Sequence, residues 1–331
     1  MLLSIVVLSY NRPGQIERIL KNFDGVVSSN FNIIIKDDCS PKISEIESVY
    51  LKYKSKINVN LILHKNDSNM GYDRNLITAF DITDADYVFL LSDDDYVDGE
   101  KIDNLISCLI ATRKDIYYTP YSCEGKINRD SLNVETNKVL LPDFSSVIYN
   151  SILFSGLVFN RSAVLELDLD RDFLANSIYT QVYIATLLIY NCRSYGTLPN
   201  DVLYLGGDGD NYFGKNEAAK NSSLLSDRTK LTSNLNYQPF LLLNIKKVAS
   251  VTDNRIYSVF IKEYKKRLIS YGLRSRHCGY KEHSDFLFKY VNSDLPFFLI
   301  PFLSFLMLFL VPKKVAGLIN DMGIKIVRKS G

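Results

Sequence analysis

Tyr87-Val88-Phe89-Leu90-Leu91-Ser92-Asp93-Asp94-Asp95-Tyr96 is the stretch whose reading decides the fold. An apolar and aromatic run ends in three consecutive carboxylates. Such a run, bounded by charge, reads as a strand buried in a covered parallel sheet. In open α/β sheets, ligands bind just beyond the carboxyl ends of strands. Neighbouring anions repel, so Asp93, Asp94 and Asp95 are costly together unless a cation sits among them. Hard oxygen donors suit Mg2+ or Mn2+, bridging to a substrate diphosphate. A solvated acidic turn is the competing reading, and the position directly after a buried strand favours the metal.

Working back from that stretch, residues 2–8 form a β-rich apolar run broken by Asn11-Arg12-Pro13-Gly14. Ile16, Ile19, Leu20 and Phe23 then recur at helical spacing. A second strand over residues 31–36 ends in Asp37-Asp38-Cys39-Ser40-Pro41, and its helix carries Ile43, Ile46, Val49 and Tyr50. A third strand covers residues 59–63, with the polar loop Asn66-Asp67-Ser68-Asn69 and a helix over 76–80 behind it. After the acidic run the pattern predicts a helix over 101–110 and a short strand over 115–119. Strands alternating with helices at this spacing give an α/β, doubly wound, mostly parallel sheet with right-handed crossovers.

Beyond Tyr121 the pattern loosens. Residues 125–137 read as a polar loop, 156–159 as a returning strand, and 178–189 as a helix with Val182, Ala185, Leu188 and Ile189 inward. Gly206-Gly207-Asp208-Gly209-Asp210 is a turn that either brings two carboxylates to a ligand or simply lies on the surface. The expected division is a nucleotide-binding and catalytic domain over residues 1–212 and a helical, basic and apolar region over 213–331. In that second part Ile256, Val259, Phe260, Tyr264, Leu268 and Tyr271 make an apolar face opposite Lys262, Lys265, Lys266 and Arg267. Residues 295–311 are uncharged, rich in Leu, Phe and Ile, interrupted by Pro296 and Pro301, and closed by Pro312-Lys313-Lys314. This is the lower limit of spanning length, and lysines beside an apolar segment hold it to anionic head groups. Monotopic membrane attachment is preferred here to a true span, with a buried core helix third.

The totals agree with a folded protein: 47% of the 331 residues are hydrophobic and 23% charged, which excludes wholesale disorder. The net charge of +2 hides an asymmetry, because residues 240–331 carry 16 Lys/Arg against 6 Asp/Glu, leaving −8 for the part before them. Five cysteines without a CxxC spacing fit a reduced compartment better than a disulfide framework. The sequence opens directly into a strand-like run with no basic n-region, so no secretory leader is expected. A basic tail also attracts nucleic acid, but no nucleic-acid motif accompanies it and the apolar segment beside it fits lipid better, so no nucleic-acid partner is expected.

Ser4-Ile5-Val6-Val7-Leu8-Ser9-Tyr10-Asn11-Arg12, then Asp37-Asp38-Cys39-Ser40, then Asn69-x-Gly71 with Arg74-Asn75, then the acidic strand end, follow one another in order. Together they resemble family 2 glycosyltransferases of the GT-A fold over residues 1–121. Leu8-Ser9 depart from the usual Pro-Thr, and the Gly71-to-Arg74 spacing is short. The resemblance implies a nucleotide site made by Ser9, Tyr10, Asn11, Asp38, Arg74 and Asp93, with Asp93 on the ribose and Asp94 and Asp95 at the metal, Mg2+ or Mn2+. In such enzymes the metal neutralises charge on the leaving diphosphate. An inverting reaction needs only a general base beside the acceptor hydroxyl.

The chemistry of single residues gives alternatives. Asp38 accepts a hydrogen bond from a pyrimidine ring, or caps the next helix with Ser40. Arg74 pairs with phosphate or a carboxylate, or is merely exposed. The family places a Glu-Asp pair where this chain has Asn176-Ser177-Ile178-Tyr179-Thr180-Gln181, so the base is open among Asp170, Asp172, Asp208 and Asp210. The resemblance, closest in look to bacterial O-antigen sugar transferases, implies metal-dependent, inverting transfer of a sugar from a nucleotide-sugar donor, such as CDP-abequose or another dideoxyhexose. Its acceptor would be a polyprenyl-diphosphate-linked oligosaccharide, at the cytoplasmic face of a bacterial inner membrane, in O-antigen or other surface polysaccharide synthesis. Two alternatives stand beside it. A sugar-1-phosphate nucleotidyltransferase would need a glycine-rich loop after the first strand, and that turn has only Gly14. A non-catalytic nucleotide-binding membrane scaffold rests on the missing Glu-Asp pair.

Overall fold

The computed structural model describes residues 1–123, 126–128, 141–192, 194–199, 202–206, 233–319 and 322. It divides into two compact units, Met1–Tyr212 and Phe213–Gly331.

The first unit is built on β1 (Leu3–Ser9), β2 (Val27–Asp37), β3 (Asn58–Lys65), β4 (Tyr87–Ser92), β5 (Tyr96–Val97), β6 (Ile116–Tyr118), β7 (Tyr121–Cys123), β8 (Lys126–Asn128), β9 (Leu157–Asn160), β10 (Gly196–Thr197) and β11 (Leu203–Tyr204). Its helices are α1 (Pro13–Lys21), α2 (Ile43–Lys54), α3 (Gly71–Ile77), α4 (Ile102–Thr112), α5 (Phe144–Asn150), α6 (Arg161–Leu165), α7 (Arg171–Leu174) and α8 (Thr180–Cys192). The main sheet runs β10-β6-β9-β4-β1-β2-β3, with β9 alone antiparallel to its neighbours. A second sheet runs β5-β11-β7-β8.

Every residue of β1 is buried, and β4 is buried through Leu91, as continuous apolar runs in a covered parallel sheet demand. Ile16, Ile19, Leu20 and Phe23 close one face of the sheet together with Leu105, Ile106 and Leu109 of α4. The α/β, mostly parallel architecture read from the sequence is therefore the one observed.

Its details differ in three places. Strand β2 begins at Val27, four residues before the apolar run, with its register against β3 shifting between Val27 and Asn32. Helix α3 starts at Gly71, not near Leu76, because its cap comes from another element; residues 78–80 continue it as a 3-10 turn. Of the loop predicted over 125–137, residues 126–128 form β8, and the rest lie outside the described residues apart from that strand.

The second unit contains α9 (Ser233–Val251), α10 (Arg255–Cys278), α11 (Tyr280–Val291) and α12 (Leu299–Leu308). Ile256, Phe260, Tyr264 and Leu268 form the buried face of α10, as their spacing requires. On α12 only Pro301, Phe305 and Leu308 are buried. The apolar segment thus turns one side inward and leaves Ile300, Leu303, Leu306 and Met307 exposed. Among the described residues, no helix is long and apolar enough to cross a membrane.

Candidate active site

Strand β1 pairs with β2 on one side and β4 on the other, all parallel. The chain proceeds outward from β1 through β2 and β3, then returns to the other side of β1 with β4, so the order reverses between β1 and β4. A crevice opens at such a reversal. The registers Ser9↔Asp37 and Leu8↔Ser92 bring three strand ends level, so Ser9-Tyr10-Asn11-Arg12 lies between Asp37-Asp38 and Asp93-Asp94-Asp95.

The turn after β1 is tied down on both sides. Asn11 has φ 62 and Cys39, after β2, has φ 55, both in the left-handed region that few non-glycine residues enter. The Asn11 amide donates to Ser40 Oγ at 2.7 Å. Ser40 in turn donates through its amide to Asp37 Oδ2 at 2.9 Å and through its hydroxyl to Asp37 Oδ1. Asp37, rather than Asp38, therefore makes the turn with Ser40. Asn11 Oδ1 is buried with no hydrogen-bond partner among the described residues, an acceptor left for a ligand.

Asp38 has another task. Its carboxylate accepts from Asn66 Nδ2 at 2.8 Å, the Met70 amide at 2.8 Å and the Gly71 amide at 2.9 Å. It holds the start of α3, and a carboxylate with about four acceptor positions has little left for a nucleobase. Behind it, Lys36 Nζ donates to Asn66 Oδ1 at 3.1 Å and Asn75 Oδ1 at 2.5 Å. Burial lowers the Lys36 pKa to about 8 against the attraction of Asp38. Arg74 is exposed on α3.

The three acids of the decisive stretch diverge. Asp93 is 6% exposed and accepts from the Tyr10 amide at 3.1 Å and from Arg12 at 3.0 Å. Burial pushes it up to about 7, opposed by the charge of Arg12. Asp95 is also buried, bonded to Ser155 and accepting from the Gly206 amide at 3.3 Å, and burial raises it to about 6. Asp94 is the open one, its side chain 31% exposed. It is bonded to the Ser92 hydroxyl and lies 3.6 Å from Arg12. Arg18 reaches across from α1 to the Asp94 carbonyl at 2.6 Å and over the Tyr96 ring.

Among the described residues, no group of three or more His, Cys, Asp or Glu converges as a metal cage. The donor set instead fits a divalent cation taken up with a ligand's phosphates, because Mg2+ is commonly held by one or two carboxylates plus phosphate oxygens. Of the three acids, Asp94 is the one exposed enough to reach such a cation.

On the other flank, Ile178 has φ 63, strained for a β-branched residue, at the start of α8. Asp73 of α3 holds this corner, accepting from the Ile178 amide at 3.0 Å and the Thr180 hydroxyl at 2.8 Å. The Tyr72 hydroxyl donates to Gln181 Oε1 at 3.0 Å, and Gln181 Nε2 donates to the Ile152 carbonyl at 2.7 Å. Asp172 is exposed in the first turn of α7, which Asp170 caps through the Phe173 amide at 3.0 Å. Asp208 and Asp210 lie outside the described residues.

Sequence reasoning passed over Arg12, Arg18 and Asp73 as site residues. For Arg12 a signal existed: it directly follows the turn of β1, level with the acids.

A family model described as "Glycosyl transferase family 2" matches residues 4–160, the stretch that contains β1 to β9 and all three acids. Residues 4–160 are thus similar to a glycosyltransferase family 2 domain. An uncharacterized glycosyltransferase of Haemophilus influenzae is 30% identical over 124 residues, 37% of this chain and 40% of that protein. Abequosyltransferase RfbV of Salmonella typhimurium is 21% identical over 206 residues, 62% of this chain and 57% of that protein. The chain thus spans about half the length of these curated relatives, 40% and 57%. A solved mannosyltransferase from Pyrobaculum calidifontis, in complex with GDP-Man and Mn2+, shares the fold with TM-score 0.55 at 14% identity, covering 98% of this chain and 79% of that one.

Proposed function

We propose that this chain is a family 2 glycosyltransferase that transfers a sugar from a nucleotide-diphosphate donor, with inversion, by a reaction that needs Mg2+ or Mn2+. The observation that carries this reading is the β1/β4 reversal, where Asp94 stays accessible beside the buried Arg12–Asp93 ion pair and the hydrogen bond that Arg18 donates to the Asp94 carbonyl. In this reading the turn at Ser9, Tyr10 and Asn11 receives the nucleoside, and Asn11 Oδ1 gives it an acceptor. Asp38 acts by fixing the α3 start, and Arg74 is free of the core to meet phosphate. Asp93 orients the crevice, with Asp94 as the metal-binding carboxylate and Asp95 as the anchor of the chain at Gly206. A bound cation would supply a Lewis acid at the departing diphosphate. Arg12 and Arg18 hold positive charge in place beside it before any bond breaks, as preorganised stabilisation requires.

For the general base, Asp172 is an exposed carboxylate, and Asp208 and Asp210 are kept as candidates by the sequence. Asp73 is excluded by geometry, because it is buried and occupied by Ile178 and Thr180. The named abequosyltransferase relative supports a dideoxyhexose donor such as CDP-abequose, and the neighbour crystallised with GDP-Man and Mn2+ supports a nucleotide sugar taken with metal. The exposed apolar side of α12, followed by Lys313 and Lys314, supports a polyprenyl-linked oligosaccharide acceptor at the cytoplasmic face of an inner membrane, in O-antigen or related polysaccharide synthesis. The nucleotidyltransferase alternative is disfavoured by the turn after β1, where a left-handed Asn11 stands and no glycine-rich phosphate loop follows.

The test is a screen of CDP-, UDP-, GDP- and TDP-sugars by calorimetry with Mn2+ and with chelator, followed by turnover of the binder. One of them should bind in Mn2+ and lose at least about tenfold in chelator. Asp94→Asn should lower turnover on the order of 100-fold or more while the fold is retained. Normal turnover by Asp94→Asn would remove the metal assignment, and no binding by any of the four would remove the donor reading.

A further inference from the structure

The guanidinium of Arg12 occupies a position that two adjacent carboxylates would otherwise offer to a metal. Its Nη1 lies 3.0 Å from Asp93 Oδ1 and 3.6 Å from Asp94 Oδ2. Arg12 is 7% exposed and Asp93 6%, so neither is screened by bulk water. The register of β1 against β4 makes this placement structural, since Leu8 stands opposite Ser92 and the next residues of both strands must meet. Arg12 is also the residue before Pro13, whose fixed φ opens α1, so its backbone has little freedom to withdraw.

We propose that Arg12 is a built-in counter-ion that keeps divalent metal off Asp94 until the donor's diphosphate arrives, so that metal and nucleotide enter as a coupled pair. This rests on the donor reading above. With Arg12 in place the Asp93–Arg12–Asp94 group carries at most one net negative charge, too little to hold a divalent cation firmly in water. A diphosphate adds negative charge and hard oxygens beside both cations, and the cation then completes its shell from Asp94 and phosphate. By linkage, the factor by which nucleotide tightens metal binding equals the factor by which metal tightens nucleotide binding. Arg12 makes that factor larger because its charge opposes the cation most in the nucleotide-free state, whereas the negative charge of a bound diphosphate balances it. Arg12 is therefore a positioning residue, acting through Asp93 and Asp94. A cation that had bound early would leave the crevice closed by charge to a donor already carrying its own metal.

The experiment is Mn2+ titration of the full chain by electron paramagnetic resonance, with and without the nucleoside diphosphate of whichever donor binds. Arg12→Gln removes the positive charge that faces Asp94, and it should tighten Mn2+ binding without nucleotide by about tenfold or more. With nucleotide bound, the same substitution should change Mn2+ affinity by less than about threefold. Arg12→Lys, which keeps the charge, should behave as the unmodified chain does in the nucleotide-free titration. Removing the guanidinium leaves Asp93 buried without its cation, a change that is often strongly destabilising. Should Arg12→Gln fail to fold by circular dichroism, the Arg12→Gln/Asp93→Asn double variant is compared with Asp93→Asn, where the same tightening is expected.

The proposal is overturned if the folded Arg12 variant binds Mn2+ alone within about twofold of its reference. It is overturned equally if the unmodified chain binds Mn2+ as tightly without nucleotide as with it. Failure of every nucleoside diphosphate to bind would sink the donor reading itself. Nucleotide binding with Mn2+ titrations indifferent to Arg12 would sink only the counter-ion.

Discussion

At Asp73, burial and hydrogen bonding act in opposite directions, and burial wins. Its pKa is raised to about 6, the bonds from Ile178 and Thr180 notwithstanding. An unfolded Asp titrates near about 3.9. Between roughly pH 4 and pH 6 the folded chain therefore holds a proton that the unfolded chain has released. The resulting contribution to stability is fully present below about pH 4 and is lost as pH rises through about 6. A shift of about two units corresponds to about 3 kcal/mol. Urea denaturation of the native chain and Asp73→Asn should show the difference between them falling by about 2–3 kcal/mol from pH 4 to pH 7.5. A difference that stays level across that window would mean Asp73 ionises as an ordinary carboxylate. Nothing in the neighbouring sequence announces this acid. Asp73 sits in Gly71-Tyr72-Asp73-Arg74, and its partners at 178 and 180 are more than 100 residues away. Asp94, by contrast, was legible because three acids beyond an apolar run need no distant partner to look costly. Arg12 and Asp93 are 81 residues apart, and only the parallel pairing of β1 with β4 brings them together.

The same logic governs whole elements. The strands were legible because each is a run of apolar residues whose burial is set by its own composition. The helix over 178–189 was legible too, its start read two residues early, whereas the start of α3 was read five residues late; both starts are held in trans. Helix α3 begins where Asp38 of the β2 end accepts from Met70 and Gly71, and α8 begins where Asp73 of α3 accepts from Ile178. Signals for helix starts look for a local Ser, Thr, Asp or Asn; at α3 the local one, Asn69, shares the Gly71 amide with Asp38, and at α8 Ser177 bonds the Thr180 hydroxyl while Asp73 takes the Ile178 amide. Chained together, these caps run from the β2 end through α3 to α8, so the nucleotide side and the opposite flank share one rigid support.

The segment after β11 makes a second such link. Gly206 packs so closely on the β4 end that a Cβ there would come 1.9 Å from the Asp94 carbonyl oxygen and 2.6 Å from Arg18 Nη2. Backbone cannot yield that distance without moving the acids. We expect Gly206→Ala to cost about 1–3 kcal/mol in thermal or urea unfolding and to weaken Mn2+-dependent donor binding by tenfold or more. Unchanged donor affinity in a folded Gly206→Ala variant would show that the crevice does not depend on this seat.

Across the whole chain the two units differ in charge as well as architecture, Met1–Tyr212 carrying 19 Lys/Arg against 29 Asp/Glu and Phe213–Gly331 carrying 20 against 8. The sheet unit was readable from strand ends, but the helical unit gave only a choice between a buried helix, a span and a surface attachment. Period and composition could not choose, because an apolar helix of ten residues, α12, looks the same on paper whether it is covered on one side or on all. The structure covers one side. Ile300 is 71% exposed and Leu310 77%, with Met307, Leu318 and Ile319 also open to solvent. Exposed apolar side chains in this number fit the proposed surface attachment, and lysines at 313 and 314 would favour anionic head groups. Each Lys near an anionic surface is worth about 1 kcal/mol, and the attraction fades beyond the Debye length. The full chain should therefore sediment with phosphatidylglycerol-rich vesicles and much less with phosphatidylcholine. Lys313→Gln/Lys314→Gln should weaken that binding about 10- to 30-fold at low salt, with the deficit shrinking as salt rises. Ile300→Ser/Leu310→Ser should weaken it at every salt concentration, since burial of apolar surface is not screened. If the unmodified chain stays in the supernatant with both kinds of vesicle, the apolar side of α12 serves another partner, and the acceptor must then be sought in solution.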